Sequence, residues 1–110
     1  MVKYRDVDAI LDVLGVPLRR RMVERLARGG AMSVSKMSEP FDITLPAAMK
    51  HVRALQDSGI ITTHKRGRVR ICVLNKHAFE SLAGWLATQT AFWQGSFDRL
   101  ERHINRVKRK

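Results

Sequence analysis

Residues 33–61 read SVSKMSEPFDITLPAAMKHVRALQDSGII, and residues 64–74 read HKRGRVRICVL. Ser33 is a helix N-cap residue type, and Pro40 restricts the segment after it to one short helix through Lys36, Met37 and Ser38. A second start comes at Phe41–Thr44, with Pro46 tolerated in the first turn because its missing N–H would have had no partner there. That helix runs to about Ser58, and Gly59 supplies a left-handed exit. From Ile60 to Leu74 the chain is rich in β-branched residues and partly alternating, with Gly67 at the tip of a predicted two-stranded ribbon. Two short helices, a tight turn and a basic hairpin are the layout of a winged helix-turn-helix.

At 100° per residue, Leu45, Ala48, Val52 and Leu55 gather on one arc, the expected core face of the longer helix. Lys50 points away from it, flanked by Pro46, Ala47, Arg53 and Ala54. A basic face otherwise lined by small residues suits a helix entering the DNA major groove, where Lys and Arg bond guanine edges or phosphates. Lys50 and Arg53 are the candidate groove residues, with Thr44, Ala47 and His51 beside them. His51 sits at the margin of the two faces, placed either to donate to phosphate or to pack half-buried. In the ribbon, Lys65, Arg66, Arg68 and Arg70 set four cations around Gly67 with no acid among them. A solvated edge strand needs one or two. Four favour a wing lying along phosphate or reaching the minor groove. The whole chain agrees, since 21 Lys and Arg against 10 Asp and Glu give a net charge of +11, the footprint of a polyanion partner.

Upstream, Val7, Ile10, Leu11 and Leu14 predict an amphipathic first helix ending at Gly15, and Pro17 opens a second helix that Gly29 and Gly30 close. Arg19, Arg20 and Arg21 fan around that second helix. One or two of them reach backbone phosphate in the functional reading; a solvated face with an Arg20–Glu24 pair is the simpler one. Downstream, Ser81–Phe97 holds no charged residue, while Phe79, Leu82, Leu86, Trp93, Phe97, Leu100, Ile104 and Val107 recur at threes, fours and sevens. A stripe of that length needs cover. Ser81, Thr88, Gln89, Thr90, Gln94 and Ser96 make the segment too polar to span a bilayer, so a second copy of the chain is the expected cover and no membrane is required. The expected two-fold dimer uses the first and last helices, with Leu82, Trp85, Leu86, Trp93, Phe97 and Leu100 at the interface. Arg99, Arg102, Arg106, Lys108, Arg109 and Lys110 then make the end of the last helix basic, either as a helix C-terminus complement or as a tail touching DNA.

These readings make residues 1–110 one mainly helical domain: five helices and a two-stranded wing, with the helix-turn-helix at about 33–58, the wing at about 60–74 and the dimerisation helix at about 76–107. Lone Cys72 cannot form an internal disulfide and reads as a small structural side chain. Lys3, Tyr4, Arg5, Asp6 and Asp8 leave no apolar stretch of the signal-peptide kind, so a cytoplasmic location is expected. No Ser/His/Asp or Cys/His arrangement and no phosphate-cradling glycine loop is present, so an enzyme is not expected and no cofactor is required. An architectural or RNA-binding basic protein, lacking preference for one DNA sequence, is the alternative class; competition by random-sequence DNA separates the two.

The segments SVSKMSEPFDITLPAAMKHVRALQDSGII and KRGRVRICVL resemble the ArsR-type (ArsR/SmtB) winged-helix repressors over nearly the whole chain. The carrying pattern is LPA-x-x-KH-x-x-x-L-x-x-x-G at residues 45–59, and the tail WLATQTAFWQGSFDRLERHI resembles a branch without the known metal boxes. The resemblance implies a homodimeric operator-binding regulator, usually a repressor released by a small-molecule inducer, with Lys50 and His51 in the recognition helix. Two departures stand out: Val16-Pro17-Leu18-Arg19 lacks the family's acidic cap, and Met49 replaces a common Ser, removing its hydroxyl contact. The third helix offers Ser33, Ser35 and Ser38 but no thiolate, and Asp98, Glu101 and His103 do not share one face, so no metal site is expected.

Overall fold

The computed structural model describes residues 4–108, and it describes side chains from Asp6 onward. The expectations placed on Lys3, Tyr4, Arg5, Arg109 and Lys110 therefore lie outside the described residues or side chains. Five helices and three short strands run in the order α1 (Tyr4–Leu14), α2 (Pro17–Gly29), β1 (Met32–Ser33), α3 (Val34–Ser38), α4 (Leu45–Ser58), β2 (Ile61–Arg66), β3 (Val69–Leu74) and α5 (Lys76–Lys108). The breaks fall where the chemistry requires them. Ser33 Oγ accepts the Lys36 N–H at 3.1 Å, capping α3. Thr44 Oγ1 accepts the Ala47 N–H at 3.2 Å, capping α4. Gly59 ends α4 with φ +89°, a left-handed conformation that a Cβ disfavours. Thr44→Ala, by removing an N-cap acceptor, is expected to lower unfolding free energy by about 1 kcal/mol in a denaturant titration.

The ribbon gains a third strand. The sheet is antiparallel in the order β1-β3-β2, with Met32 opposite Cys72 and Ser33 opposite Ile71. The expected two-stranded wing is thus the outer part of a three-stranded sheet. Ser33 serves both as the last residue of β1 and as the cap of α3, which threads the helix-turn-helix directly off the sheet edge. Across β2 and β3, Arg66 pairs with Val69 around Gly67 at φ +62°, and no non-glycine residue among those described has positive φ. One left-handed residue at the first central position is the signature of a type II′ hairpin turn.

Ile10, Met22, Met37, Val52, Leu55, Ile60, Ile61 and Cys72 are almost wholly buried, joining α1, α2, α3, α4 and the sheet in one core. Cys72 is inside that core, so burial pushes its thiol pKa up, opposed weakly by Arg70. Asn75 clamps the exit from the sheet: its N–H reaches Ile60 O at 2.9 Å and its Nδ2 reaches Gly59 O at 2.8 Å. Its Oδ1 accepts the His77 N–H at 3.2 Å, so the same residue starts α5.

Two expectations are corrected. Leu45 is 53% exposed and does not join Ala48, Val52 and Leu55 in the core. It stands in the first turn of α4, where half-buried Phe41 and Ile43 of the preceding turn close the core in its place. Arg20 does not pair with Glu24; its Nη1 donates to Leu14 O at 2.6 Å, capping the end of α1 across the Gly15 turn. Val16 at the N-cap of α2 makes no side-chain cap bond, as its residue type requires.

α5 is 33 residues long, about 50 Å at 1.5 Å per residue. Only its first turns meet the body, through buried Ala78 and half-buried Phe79 and Leu82, with α1 lying alongside. The rest projects outward.

Candidate nucleic-acid interface

α4 is held by Ala48, Val52 and Leu55, each fully buried. Ala47, His51 and Ala54 are half-covered, while Leu45, Pro46, Lys50, Arg53, Gln56 and Asp57 are exposed. The outward face is therefore centred on Arg53 and Pro46. Lys50 lies on one shoulder of it, and Leu45 and Gln56 lie on the other. From sequence the face is expected to centre on Lys50, flanked by Pro46, Ala47, Arg53 and Ala54; here Ala47 and Ala54 are half-covered, and the exposed residues extend on the Arg53 side. Exposed Leu45 and Gln56 widen the face on that side, and exposed Asp57 lies on it between Pro46 and Lys50. Met49 is half-buried, its side chain packed against the core.

His51 takes the packing alternative. Arg19 Nε donates to His51 Nδ1 at 3.2 Å, tying α2 to α4 across the core margin. Burial, then the positive charges of Arg19 and Lys50, hold the imidazole pKa below its usual value. Neutral His51 accepts at Nδ1 and keeps its proton on Nε2, where one donor remains for a phosphate oxygen. Thr44 combines two tasks in the same way: its oxygen caps α4, and its hydroxyl proton is free to donate.

In the hairpin, strand alternation puts Thr63 and Lys65 on the face that also carries Cys72 and Arg70, with Lys65 directly opposite Arg70. Arg70 Nη1 donates to Thr63 Oγ1 at 2.9 Å, and the Thr63 hydroxyl donates to Gln56 Oε1 at 3.0 Å. This relay ties the wing to the last turns of α4, so the hairpin and the helix present their cations as one surface. Neither Gln56 nor Thr63 was singled out from sequence. Alternation alone groups Thr63 with Lys65, but nothing local to the chain reveals that Gln56 lies above them. Lys65 and Arg70 facing each other across the strands is destabilising without an anion between them. Arg66 leaves on the opposite face, and Arg68 occupies the tip. Among the described residues, no hydrogen bond or ion pair holds the side chains of Lys50, Arg53, Lys65, Arg66 or Arg68; the two ion pairs present, Lys76–Glu80 and His77–Glu80, are in α5.

The six candidate dimer residues are not gathered on the globular body. Leu82 and Trp85 are half-buried near it, whereas Leu86, Trp93, Phe97 and Leu100 are each about half or more exposed along the projecting part of α5. Trp93 and Phe97 stack obliquely, with ring centroids 5.4 Å apart. Among the described residues, no three His, Cys, Asp or Glu side chains converge to hold a metal ion, and no helix is long and apolar enough to cross a membrane.

Comparison with known proteins gives a consistent set of likenesses. A family model described as a helix-turn-helix domain matches residues 14–64. The arsenical resistance operon repressor of Staphylococcus xylosus is 30% identical over 78 residues, spanning 71% of this chain and 73% of that protein. The crystal structure of an ArsR family transcriptional regulator is 44% identical, covering 81% of this chain and 97% of that one with a TM-score of 0.75. A Mycobacterium bovis protein, described as a homodimeric winged helix-turn-helix DNA-binding domain, shares the fold at a TM-score of 0.61 and 18% identity, covering 86% of this chain and 83% of its own.

Proposed function

The chain belongs to the ArsR family of winged helix-turn-helix transcriptional regulators, and from that premise we propose that it is a homodimeric repressor reading a two-fold DNA operator in the cytoplasm. The observation that carries the reading is the joined surface of α4 and the wing: unpaired Lys50 and Arg53 on the exposed helix face, fixed to the cationic hairpin by the Gln56–Thr63–Arg70 relay. Arg53 and Lys50 enter the major groove. Ala47 lets the backbone approach closely, and Thr44 and His51 donate to phosphates beside it. Lys65 and Arg70 clamp one phosphate between them, while Arg66 and Arg68 track the backbone beyond or enter the minor groove. Leu82, Trp85, Leu86, Trp93, Phe97 and Leu100 form the two-fold seam that sets the spacing of two recognition helices.

Gel-shift titrations at two salt concentrations test the assignment. Arg68→Ala is expected to weaken operator and random duplex alike. It should also flatten the salt dependence by roughly 0.9 in log–log slope for each phosphate no longer neutralised, twice that for a dimer. Arg53→Ala and Lys50→Ala are expected to weaken the operator more than random DNA, by about 1–3 kcal/mol for each bidentate base contact. Unchanged binding in all three variants would remove the surface from the DNA interface.

A further inference from the structure

Arg21, Arg25 and Arg28 succeed one another at spacings of four and three along α2, which lines them on one side of the helix. Together with Lys36 of α3 they rim a groove of about 520 Å³ floored by Met32 and Phe41. That volume falls in the range of small-molecule sites. Glu24 is the one carboxylate in the lining, and no ion pair among the described residues joins it to any of the four cations. Arg25 is already fixed in place: its Nη2 donates to the Lys36 carbonyl at 2.8 Å and lies 3.9 Å from Met32 Sδ. Its Nε, by contrast, is buried and has no partner. A buried guanidinium donor left unsatisfied is destabilising, and an oxyanion that draws the Arg25 side chain out of its seat into the groove satisfies it.

We propose that this groove binds a small organic anion, a carboxylate or phosphate monoester carried on an apolar body. The guanidinium fork of Arg25, with Arg28 and Lys36 at the rim, suits the oxyanion, and Met32 and Phe41 suit the apolar part. Duplex DNA fits the groove less well. The site is short, apolar at its floor and carries Glu24 on its edge, where a polyanionic backbone meets repulsion. The groove also borders the reading apparatus: α3 supplies the Lys36 carbonyl to Arg25 and packs on α4 from its other side. On the reading proposed above, an anion that draws Arg25 away from α3 changes the seat of α4 and thereby its affinity for DNA. The coupling is reciprocal: DNA changes anion affinity by the same factor.

The site is tested on the intact chain without DNA, by monitoring side-chain Nε–H and backbone amide resonances during titration with 1-naphthoate, 1-naphthyl phosphate and the uncharged 1-naphthalenemethanol. Saturable shifts at Arg25 Nε–H, Gly29 and Met32 are expected with one or both anions, and binding about tenfold weaker or worse for the alcohol. Arg28 and Lys36 are exposed, so the pair of changes Arg28→Gln and Lys36→Gln leaves the fold intact and is expected to weaken the anion about tenfold. Equal affinity for the alcohol would overturn the proposal. So would shifts spread over exposed arginines or over Trp93 and Phe97, or indifference to the double substitution. Displacement of naphthoate by random duplex with perturbation of Arg25 Nε–H would instead assign the groove to DNA. Failure here leaves operator binding untouched, and anion binding by a protein that ignores operators would leave the site standing without the regulator reading.

Discussion

Trp93→Asp combined with Leu100→Asp is expected to turn the protein into a monomer that no longer holds its operator, while the globular body stays folded. Trp93, Phe97, Leu100, Ile104 and Val107 are 42–65% exposed on the projecting part of α5, and their four-three alternation is the seam of a helix that packs against another helix. A two-fold interface is self-complementary, so each aspartate is buried twice in the dimer. An unpaired carboxylate in an apolar seam is far too costly to keep at that interface. In the monomer the same aspartates sit in water. Ala78, Phe79 and Leu82 still dock the start of α5, so the core residues keep their surroundings. Beyond them, a helix without a partner frays. Sedimentation should show the mass halved, and amide exchange should show protection kept in α2, α4 and the sheet but absent past the middle of α5. Operator affinity should fall by about a hundredfold or more, because joining two half-site contacts in one molecule supplies an effective concentration that separate monomers lack. Retention of the dimer mass would remove α5 from the interface.

How much of the fold and the interface was legible in the chain depends on how local the determinant is. The ends of α4 were readable because Thr44, Pro46 and Gly59 each act within one turn of themselves. The same holds for the breaks at Gly15–Pro17 and at the Gly67 tip. The short strand β1 escaped because two residues carry no alternation; only its partners Ile71 and Cys72, some 40 positions along in the sequence, make it a strand. Pairing across distance also explains His51. Its position at the margin of the helix left two roles open, and the choice was made by Arg19, 32 residues earlier. Arg20 shows the converse: an (i, i+4) acid was available in Glu24, but the uncapped carbonyl end of α1 lay nearer. Arg25 was invisible as anything beyond one arginine among many, since its buried Nε results from the closing of α3 over α2.

Leu55 and Leu45 put the corrected face of α4 to a quantitative test, because the two leucines share a helix and differ in burial. Leu55 is fully buried among Val52, Met37, Ile60 and Ile61. Leu55→Ala removes its side chain from a packed interior and leaves a void that the rigid sheet cannot fill, so a loss of about 3 kcal/mol, inside the usual span of about 2–5, is expected. Leu45→Ala removes a side chain that is 53% exposed, and a change within about 0.5 kcal/mol is expected. Both are read from denaturant midpoints at one fixed protein concentration, since the proposed dimer makes stability depend on it. The roles reverse on DNA. Leu45 is exposed in the first turn of α4, and in the proposed complex that end of the helix enters the groove, where an aliphatic group packs against a thymine methyl. Leu45→Ala is therefore expected to weaken the operator several-fold while leaving random duplex unchanged. Equal destabilisation by both substitutions would return Leu45 to the core and remove it from the reading face.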